Sequence, residues 1–225
     1  MSLIKIENTN IYVENKLILS DVNFNLEVGQ MKFLIGRTGS GKTTFINSIF
    51  ANNKIKESKT FNVLDFDIKN IKERQIPFLR RRIGFVFQDF KLLNDRTVYK
   101  NLEFVMKSIG ENKESVIQDK IDKALSLVGI NIDKNKFPDE FSGGEQQRIS
   151  IARSLLNDPE LIIADEPTGN LDPQTSLEII NLFDKLNKMG TSMIIATHDY
   201  NLIVKLEGSV YKCENGIMFE VKRKW

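Results

Sequence analysis

A glycine-rich loop that follows a short apolar run is the feature that most constrains the fold of this chain. Residues 36–43 read Gly-Arg-Thr-Gly-Ser-Gly-Lys-Thr and match the pattern G-x-x-x-x-G-K-[ST]. The apolar run 31–35 precedes the loop, and residues 44–50 have a helix-like pattern. A strand, a loop and a helix are the context in which this pattern binds phosphate. The sequence therefore predicts a nucleotide-binding α/β core, and the loop alone leaves GTPases, kinases, helicases and transport ATPases open.

The residues predicted to hold the nucleotide phosphates are consecutive in the chain. Glycines let the backbone curl tightly, so that successive main-chain N–H groups converge on phosphate oxygens. Lys42 can reach the β- and γ-phosphates, and the hydroxyl of Thr43 can ligate Mg²⁺. The predicted phosphate-binding residues are Gly36, Arg37, Thr38, Gly39, Ser40, Gly41, Lys42, Thr43 and Thr44.

A second apolar run, residues 161–164, ends in the two acids Asp165 and Glu166. Ligands of α/β proteins bind at the carboxyl ends of the strands, where these carboxylates would lie. We expect Asp165 to hold Mg²⁺, directly or through water, and Glu166 to act as a general base on the attacking water. Two acids after a strand are commonly a solvated turn, and the phosphate loop is what favours the catalytic interpretation.

Two more polar residues follow apolar runs and complete the predicted catalytic set. His198, the one histidine of the sequence, follows the run 193–196, and Gln88 ends the run 83–87. The imidazole could hydrogen-bond the γ-phosphate and the water that attacks it. The amide of Gln88 could meet Mg²⁺ or that water. By themselves, the histidine would more often be structural and the glutamine a turn residue.

The rest of the chain predicts one domain with two additions to its core. A length of 225 residues suits a single α/β domain. Apolar and polar residues alternate early in the chain, which predicts antiparallel strands, and the periodicity becomes helical between residues 97 and 129. We predict a nucleotide-binding core with a β-subdomain over 1–88 and 157–225, and a helical subdomain over 89–156.

Composition excludes several classes of function. A net charge of +2 gives no case for nucleic-acid binding, and the basic clusters 80–82 and 222–224 predict solvated surface, with anionic lipid as the alternative. No stretch approaches the apolar length of a membrane span, and no secretory signal is visible. Cys213 is alone and is predicted to be buried. We expect a cytoplasmic protein whose role at a membrane would need a separate partner.

Taken in order, these motifs resemble an ABC-type ATPase domain over nearly the whole chain. Residues 141–145, Phe-Ser-Gly-Gly-Glu, resemble the signature sequence of that family, and 170–172, Asn-Leu-Asp, match a further motif. The resemblance implies a P-loop core of mostly parallel strands, an N-terminal antiparallel β-subdomain and an inserted α-helical subdomain. It also implies ATP and Mg²⁺ as ligands, and a homodimer on ATP binding in which two copies enclose two ATP molecules head to tail.

The resemblance further implies roles for residues outside the loop. Ser142 and Gly144 would contact the γ-phosphate bound to the other copy, and Asp172 would support coupling across the dimer. Tyr12 would stack on adenine, although a tyrosine near a strand is often only packing. Glu145 stands where the family usually has glutamine, and its charge near phosphate is expected to weaken the closed dimer. The signature residues predicted to bind the nucleotide are Ser142, Gly143, Gly144 and Glu145.

Within the family, residues 85–93 and 97–102 look most like the ATPases of bacterial cell division. The segment that distinguishes these ATPases from others in the family is Asp-Phe-Lys-Leu-Leu, directly after Gln88. This resemblance implies an integral membrane partner, an FtsX-like permease, that contacts residues 89–130, and a peripheral position on the cytoplasmic face of the inner membrane. ATP-driven dimerisation would there activate peptidoglycan hydrolases.

Other functions remain open from the sequence. The lipoprotein-releasing and macrolide- or peptide-export ATPases are close relatives with similar motifs. A nucleotide-binding regulator that hydrolyses slowly or not at all is a further alternative. A DNA-repair or chromosome ATPase is disfavoured, because the signature follows the phosphate loop without the long coiled-coil insertion of those proteins, and no sustained heptads are present.

Overall fold

A ten-stranded mixed sheet organises the chain in the computed structural model, which describes residues 2–222 apart from the side chains of residues 200–202. Within the described residues the strands are β1 (Ser2–Val13), β2 (Lys16–Glu27), β3 (Met31–Ile35), β4 (Thr60–Val63), β5 (Phe66–Asp67), β6 (Ile83–Val86), β7 (Leu161–Asp165), β8 (Ser192–Ala196), β9 (Ser209–Glu214) and β10 (Ile217–Val221). The α-helices are α1 (Lys42–Ile49), α2 (Ile76–Arg81), α3 (Val98–Ser108), α4 (Glu114–Leu127), α5 (Gly143–Leu155), α6 (Pro173–Lys188) and α7 (Tyr200–Lys205). The strands predicted from apolar runs are therefore confirmed.

The order of the strands separates a parallel core from antiparallel strands. That order is β5-β4-β1-β2-β10-β9-β3-β8-β7-β6. The neighbours from β9 to β6 are parallel, whereas β1 is antiparallel to both β2 and β4. Continuous apolar strands suit a parallel core because helices cover both of its faces. The predicted fold class, a mostly parallel core with an antiparallel β-subdomain, is confirmed.

Alternating side chains of the parallel strands build two hydrophobic cores, one on each face of the sheet. Phe33 and Ile162 point into the first core, which contains the buried faces of α3, α4, α5 and α6. Leu34 and Ile163 point into the second, which holds α1 and the inner residues of β1 and β2. The core strands are thus covered on both faces, as their continuous apolar sequences require.

The helices α3 and α4 lie within residues 97–129, where the periodicity predicted helices, and α5 follows them before β7. Helix α5 packs directly on β6 at Gly84. A Cβ atom at Gly84 would lie 2.5 Å from the main-chain oxygen of Ser154, so only glycine permits this approach. The helical segment is therefore seated against the strand that leads into Gln88.

In the sequence, Asp172 and Pro173 predict the start of a helix and Gly190 predicts its end. The predicted apolar stripe is Leu177, Ile180, Phe183 and Leu186. Helix α6 begins as predicted and buries a wider face than that stripe. Asp172 is its N-cap, and Gly190 follows its end with a φ of 101°. Leu177 is only partly buried, whereas Ser176 and Ile179 join the buried face. The additional buried residues arise because α6 packs against both α5 and the sheet.

The first basic cluster is not simply solvated surface, which corrects the prediction for residues 80–82. Arg82 donates to both carboxylate oxygens of Glu160, at 2.5 and 2.9 Å, and to the main-chain oxygen of Leu64 at 2.8 Å. It thereby ties the turn between β4 and β5 to the core. Residues 223 and 224 of the second basic cluster lie outside the described residues.

Two further predictions concern membrane-spanning helices and the burial of Cys213. Within residues 2–222, no helix combines the length and the apolar character needed to cross a membrane. The thiol of Cys213 is buried in the second core, as predicted, and burial raises its pKa to about 11. A thiol in this state is an inert packing group.

Candidate nucleotide-binding site

The glycine-rich loop joins β3 to α1 through main-chain conformations that require glycine. Gly36 and Gly41 have φ values of 147° and 107°. A Cβ atom at Gly36 would lie 2.4 Å from the main-chain oxygen of Cys213, and one at Gly41 would lie 2.9 Å from a methyl group of Leu19. The loop is therefore held tightly between β9 and β2, with its N–H groups wrapped in front of α1.

The interior of this loop contains a cation and a buried hydroxyl suited to a phosphate group. The ammonium of Lys42, a buried residue, donates to the main-chain oxygens of Gly36 at 2.6 Å and Arg37 at 3.4 Å. The hydroxyl of Ser40 is buried and has no hydrogen-bond partner among the described residues. A buried polar group without a partner costs free energy, which a phosphate oxygen would recover. The loop thus fits the ligand that its sequence predicts.

Asp165, the last residue of β7, meets Thr43 of α1. The Thr43 hydroxyl donates to Oδ2 of Asp165 at 3.3 Å. Burial raises the pKa of Asp165, and this effect exceeds the lowering by the hydrogen bond from Thr43. The nearby charge of Glu166 raises the pKa further, and Lys42 lowers it slightly. An added cation would relieve the penalty that burial imposes on this carboxylate.

The pair of Thr43 and Asp165 fits Mg²⁺ bound together with a nucleotide. Mg²⁺ keeps several waters and is usually held by one or two protein oxygens plus substrate phosphates. The hydroxyl and carboxylate of this pair provide those oxygens next to the phosphate loop. Across residues 2–222, no group of three or more His, Cys, Asp and Glu side chains forms a cage for a metal ion. The donor set therefore suits a metal that arrives with phosphate.

Glu166 turns away from Asp165 and meets His198. Its φ of 49° is left-handed, and its N–H donates to the main-chain oxygen of Ala196 at 2.8 Å. Such strain in a residue other than glycine costs about 1–3 kcal/mol and is concentrated at functional sites. Glu166 Oε2 lies 2.8 Å from Nδ1 of His198 and accepts from its main-chain N–H at 3.1 Å. The structure brings the predicted base and the predicted histidine together.

Gln88 forms hydrogen bonds with Asn170, which is a different contact from the predicted one with Mg²⁺. Its amide nitrogen donates to Oδ1 of Asn170 at 3.2 Å, and the amide of Asn170 donates to the main-chain oxygen of Gln88 at 3.1 Å. Gly169 allows this approach, because a Cβ there would lie 3.0 Å from the Gln88 amide nitrogen. Gln88 therefore links the loop after β6 to the loop after β7, and its contact with Mg²⁺ stays a prediction.

The signature residues form the start of α5. Ser142 is the N-cap: its hydroxyl accepts from the N–H of Glu145 at 3.3 Å and lies 2.7 Å from Glu145 Oε2. The same carboxylate oxygen accepts from the N–H of Ser142 at 2.9 Å, which completes a capping box. These hydrogen bonds hold the pKa of Glu145 below its usual value. The negative charge of Glu145, which was predicted to lie near phosphate, is thus held at the N-terminal, positive end of α5.

Gly144 lets α5 approach α6 closely, and Asp172 caps the start of α6. A Cβ at Gly144 would lie 2.5 Å from the methyl group of Thr175, so a larger residue would push the helices apart. A Cβ at Gly143 would make only ordinary van der Waals contacts, at 3.5 Å from Leu171 and 3.8 Å from Phe90. The carboxylate of Asp172 accepts from the N–H groups of residues 174 and 175, both at 3.0 Å. Asp172 is therefore a helix cap, and a role across a dimer stays a prediction.

Tyr12, the residue predicted to stack on adenine, is partly buried near the end of β1. Its hydroxyl donates to Glu57 at 3.1 Å, and the ammonium of Lys56 lies 5.8 Å from the ring centroid. Burial and the hydrogen bond to Glu57 raise the pKa of the phenol. These contacts fix the hydroxyl end of the ring and leave adenine stacking as a prediction.

A cavity of about 710 Å³ next to the phosphate loop has a wall that the sequence did not predict. Loop residues 36–40 and His198 line one side, and residues Lys212, Glu214 and Asn215 of the β9–β10 hairpin line the other. Pockets for small ligands usually have volumes of roughly 300–1,000 Å³. The segment around Cys213 alternates apolar and polar residues in the sequence, but only the pairing of β9 with β3 brings this segment beside the loop.

Asp165 provides a test of the electrostatics of this site. Because its pKa is raised in the folded protein, ionised Asp165 destabilises the fold as the pH rises through that pKa. We expect Asp165→Asn to change the free energy of unfolding little below the unperturbed pKa of 3.8 and to raise it increasingly at higher pH. Urea unfolding over a pH series measures this difference. Asp119→Asn, at an exposed position, is the control. If the change in the free energy of unfolding is equally independent of pH in both variants, the burial cost assigned to Asp165 is contradicted.

Comparison with known proteins agrees with this geometry. The family model described as "ABC transporter" matches residues 19–169, which contain the phosphate loop, the signature and the paired acids. The cell division ATP-binding protein FtsE of Streptococcus pneumoniae (serotype 2, strain D39) is 42% identical over 205 residues, which cover 91% of this chain and 88% of that protein.

Two solved structures have the same fold. The ATP-binding cassette MJ0796, solved as a dimer in a post-hydrolysis state bound to ADP and Pi, has a TM-score of 0.84 and 30% identity, covering 99% of this chain and 100% of that one. The cbiO1 protein of Clostridium perfringens, part of the ABC transporter complex cbiONQ, has a TM-score of 0.87 and 29% identity, covering 97% of this chain and 87% of that one. By sequence, fold and site, this chain belongs to the ABC transporter family.

Proposed function

We propose that this chain is the ATP-hydrolysing subunit of a bacterial cell-division complex at the membrane. One observation supports the assignment of hydrolysis. The ends of β3, β7 and β8 bring together Lys42, the Thr43–Asp165 pair and the Glu166–His198 pair. Leu34 and Asp165 both pair with Ala196, so these strands end in register. The likeness to the cell-division protein FtsE supports the cellular role.

The proposed reaction is the attack of water on the γ-phosphate of ATP. The loop N–H groups and Lys42 bind the phosphates, and Thr43 and Asp165 hold Mg²⁺, which when bound neutralises charge that develops on the phosphate oxygens. Glu166 takes the proton of the attacking water as the bond from the γ-phosphorus to the bridging oxygen breaks. His198, at 2.8 Å from Glu166, orients this carboxylate and presents an exposed imidazole to the γ-phosphate.

A second copy of the chain completes each nucleotide site in this proposal. Ser142 and Gly144 lie at the N-terminus of α5, where free N–H groups and the helix dipole favour an anion. That end would receive the γ-phosphate bound by the other copy, as the dimeric cassette MJ0796 bound to ADP and Pi suggests. The carboxylate of Glu145 already accepts from Ser142, so it competes with phosphate and weakens closure.

Glu166→Gln tests the catalytic assignment. The amide keeps the shape of the side chain but cannot accept the proton of water, so we expect turnover to fall at least about a hundredfold while ATP binding is retained. We also expect ATP to hold this variant as a dimer, which light scattering after size exclusion measures. Glu207→Gln, which changes an exposed carboxyl, is the control. Undiminished hydrolysis by Glu166→Gln would remove Glu166 from its role.

Mixing two inactive chains tests the shared site. In a dimer of Lys42→Ala with Ser142→Arg, both lesions fall on one composite site and the other site is intact. At equal mixing we expect about a quarter of wild-type turnover, because half of random dimers are mixed and each has one working site. Each variant alone should be inactive. A mixture that stays inactive at every ratio would contradict the shared-site arrangement.

We propose that the membrane partner docks in a groove between the core and the helical segment. This groove, of about 430 Å³, joins β6 and α2 to α3 and α5. Its apolar lining includes Phe85, Phe87, Val105 and Ile109, and its rim includes Arg80, Arg81 and Lys91. An amphipathic cytoplasmic helix with acidic residues fits this lining. The occupant in our proposal is the cytoplasmic helix of an FtsX-like permease, which would place the chain on the cytoplasmic face of the inner membrane.

Ile109→Glu tests the groove. A carboxylate on its apolar lining should prevent docking, so we expect the partner to be lost from co-purification while turnover of the isolated chain stays within about twofold of wild type. Lys123→Glu, on the exposed face of α4, is the matched control and should keep the partner. Partner binding by both variants alike would contradict the groove assignment.

The identity of the recovered partner separates the proposed function from its alternative. Recovery of an FtsX-like permease supports the cell-division role. Recovery of a lipoprotein-releasing or macrolide-export permease instead would overturn that role and leave the ATPase assignment intact.

A further inference from the structure

A strained turn directly follows Gln88. The N–H of Lys91 donates to the main-chain oxygen of Asp89 at 2.5 Å, which closes a three-residue turn around Phe90. Phe90 and Lys91 have φ values of 57° and 50°, both in the left-handed region. Three-residue turns with a positive central φ are rare and strained. Neither residue is glycine, so contacts from elsewhere must hold this conformation.

Arg153, on the third turn of α5, supplies those contacts. Its guanidinium donates to the main-chain oxygen of Lys91 at 2.5 Å and to that of Phe90 at 2.7 Å. The hydroxyl of Ser150, one helical turn earlier, donates to the oxygen of Phe90 at 3.1 Å. Two successive carbonyls are thus bound by one rigid planar group whose donors have a fixed spacing, whereas the ammonium of lysine is a compact charge on a flexible stem.

The environment of Arg153 indicates that this contact has a use beyond stability. Its side chain is partly buried, and burial lowers its pKa to about 10. Among the described residues, Arg153 forms no ion pair with a carboxylate. Its partners are the main-chain oxygens of Lys91 and Phe90 and the hydroxyl of Ser150, all of them uncharged. A partly buried cation with no charged partner is costly.

Arg153 also lies between two parts of the proposed machinery. It lines the groove proposed for the membrane partner, together with Lys91. On the other side of the strained turn, Gln88 is bonded to Asn170 in the loop that follows Glu166. A shift of α5 against β6 would therefore move the Phe90–Lys91 turn and, through it, Gln88.

We propose that Arg153 is a positioning residue for hydrolysis: it clamps the strained turn at Phe90 and Lys91 to α5 and thereby holds Gln88 in position. This inference rests on the proposed function for its link to turnover. The clamp itself is a property of the free chain and can be tested without ATP.

Arg153→Lys in the full-length chain is the first variant. It keeps the charge and loses the planar donors of fixed spacing, so we expect kcat to fall about tenfold while the KM for ATP stays within about twofold. Arg148→Lys is the matched control on the same helix, because Arg148 also donates to a main-chain oxygen, that of Val128, at 2.6 Å. An equal loss in both variants would mean a general effect on α5 and would overturn the proposal.

A second substitution separates positioning from loss of fold. Glycine adopts a φ of 50° without strain, so Lys91→Gly added to Arg153→Lys should recover kcat at least about threefold. Lys91→Ala removes the same side chain and keeps the strain, so it should recover nothing. If alanine restores turnover as well as glycine does, the strain is irrelevant and the proposal fails.

Hydrogen exchange of the peptide that spans residues 86–93 gives a readout independent of activity. We expect faster exchange at Lys91 in Arg153→Lys, partial recovery with Lys91→Gly, and no change in Arg148→Lys. Unchanged exchange in Arg153→Lys would overturn the clamp even if turnover fell. If the wild-type chain hydrolyses no ATP, the proposed function fails, while the exchange comparison still decides whether Arg153 holds the turn.

Discussion

Hydrogen bonding of β8 to both β3 and β7 is the constraint on which the candidate site depends. Leu34 and Asp165 pair with Ala196 from opposite sides, and the N–H of Glu166 bonds to the Ala196 oxygen as well. This register sets the phosphate loop, the paired acids and His198 at one edge of the sheet. A slip of one residue would turn every side chain of a strand to the opposite face and separate Thr43 from Asp165.

Helix α5 connects this edge to the rest of the molecule. Its first residues form the signature and its capping box, Gly84 seats it on β6, and Arg153 holds the turn after Gln88. A single rigid helix therefore touches the surface proposed for a second copy, the groove proposed for a membrane partner and the loop that carries Gln88. Helix α5 and the strained turn thus form one continuous set of contacts between those sites.

Much of the site could be predicted because its chemistry lies in contiguous segments. The loop 36–43 carries its glycines, lysine and threonine in a fixed order, and Asp165 follows a continuous apolar strand. The N-cap at Asp172 was readable for the same reason, since a cap acts within three residues. Three features could not be predicted from the sequence, because each joins segments far apart in the chain. They are the hydrogen-bond partner of Gln88, the cavity wall formed by the β9–β10 hairpin and the contact of Arg153 with the turn after Gln88.

By itself, the sequence determined the class of fold, the phosphate loop and the identity of the acidic residues, because local periodicity and short motifs encode them. Only the tertiary structure decided that Gln88 bonds to Asn170, that Arg153 holds the turn after Gln88 and that Phe90 and Lys91 are strained. Main-chain strain and long-range hydrogen bonds leave no mark in a pattern of residue types. They arise only when packing brings α5, β6 and the loop after β7 together.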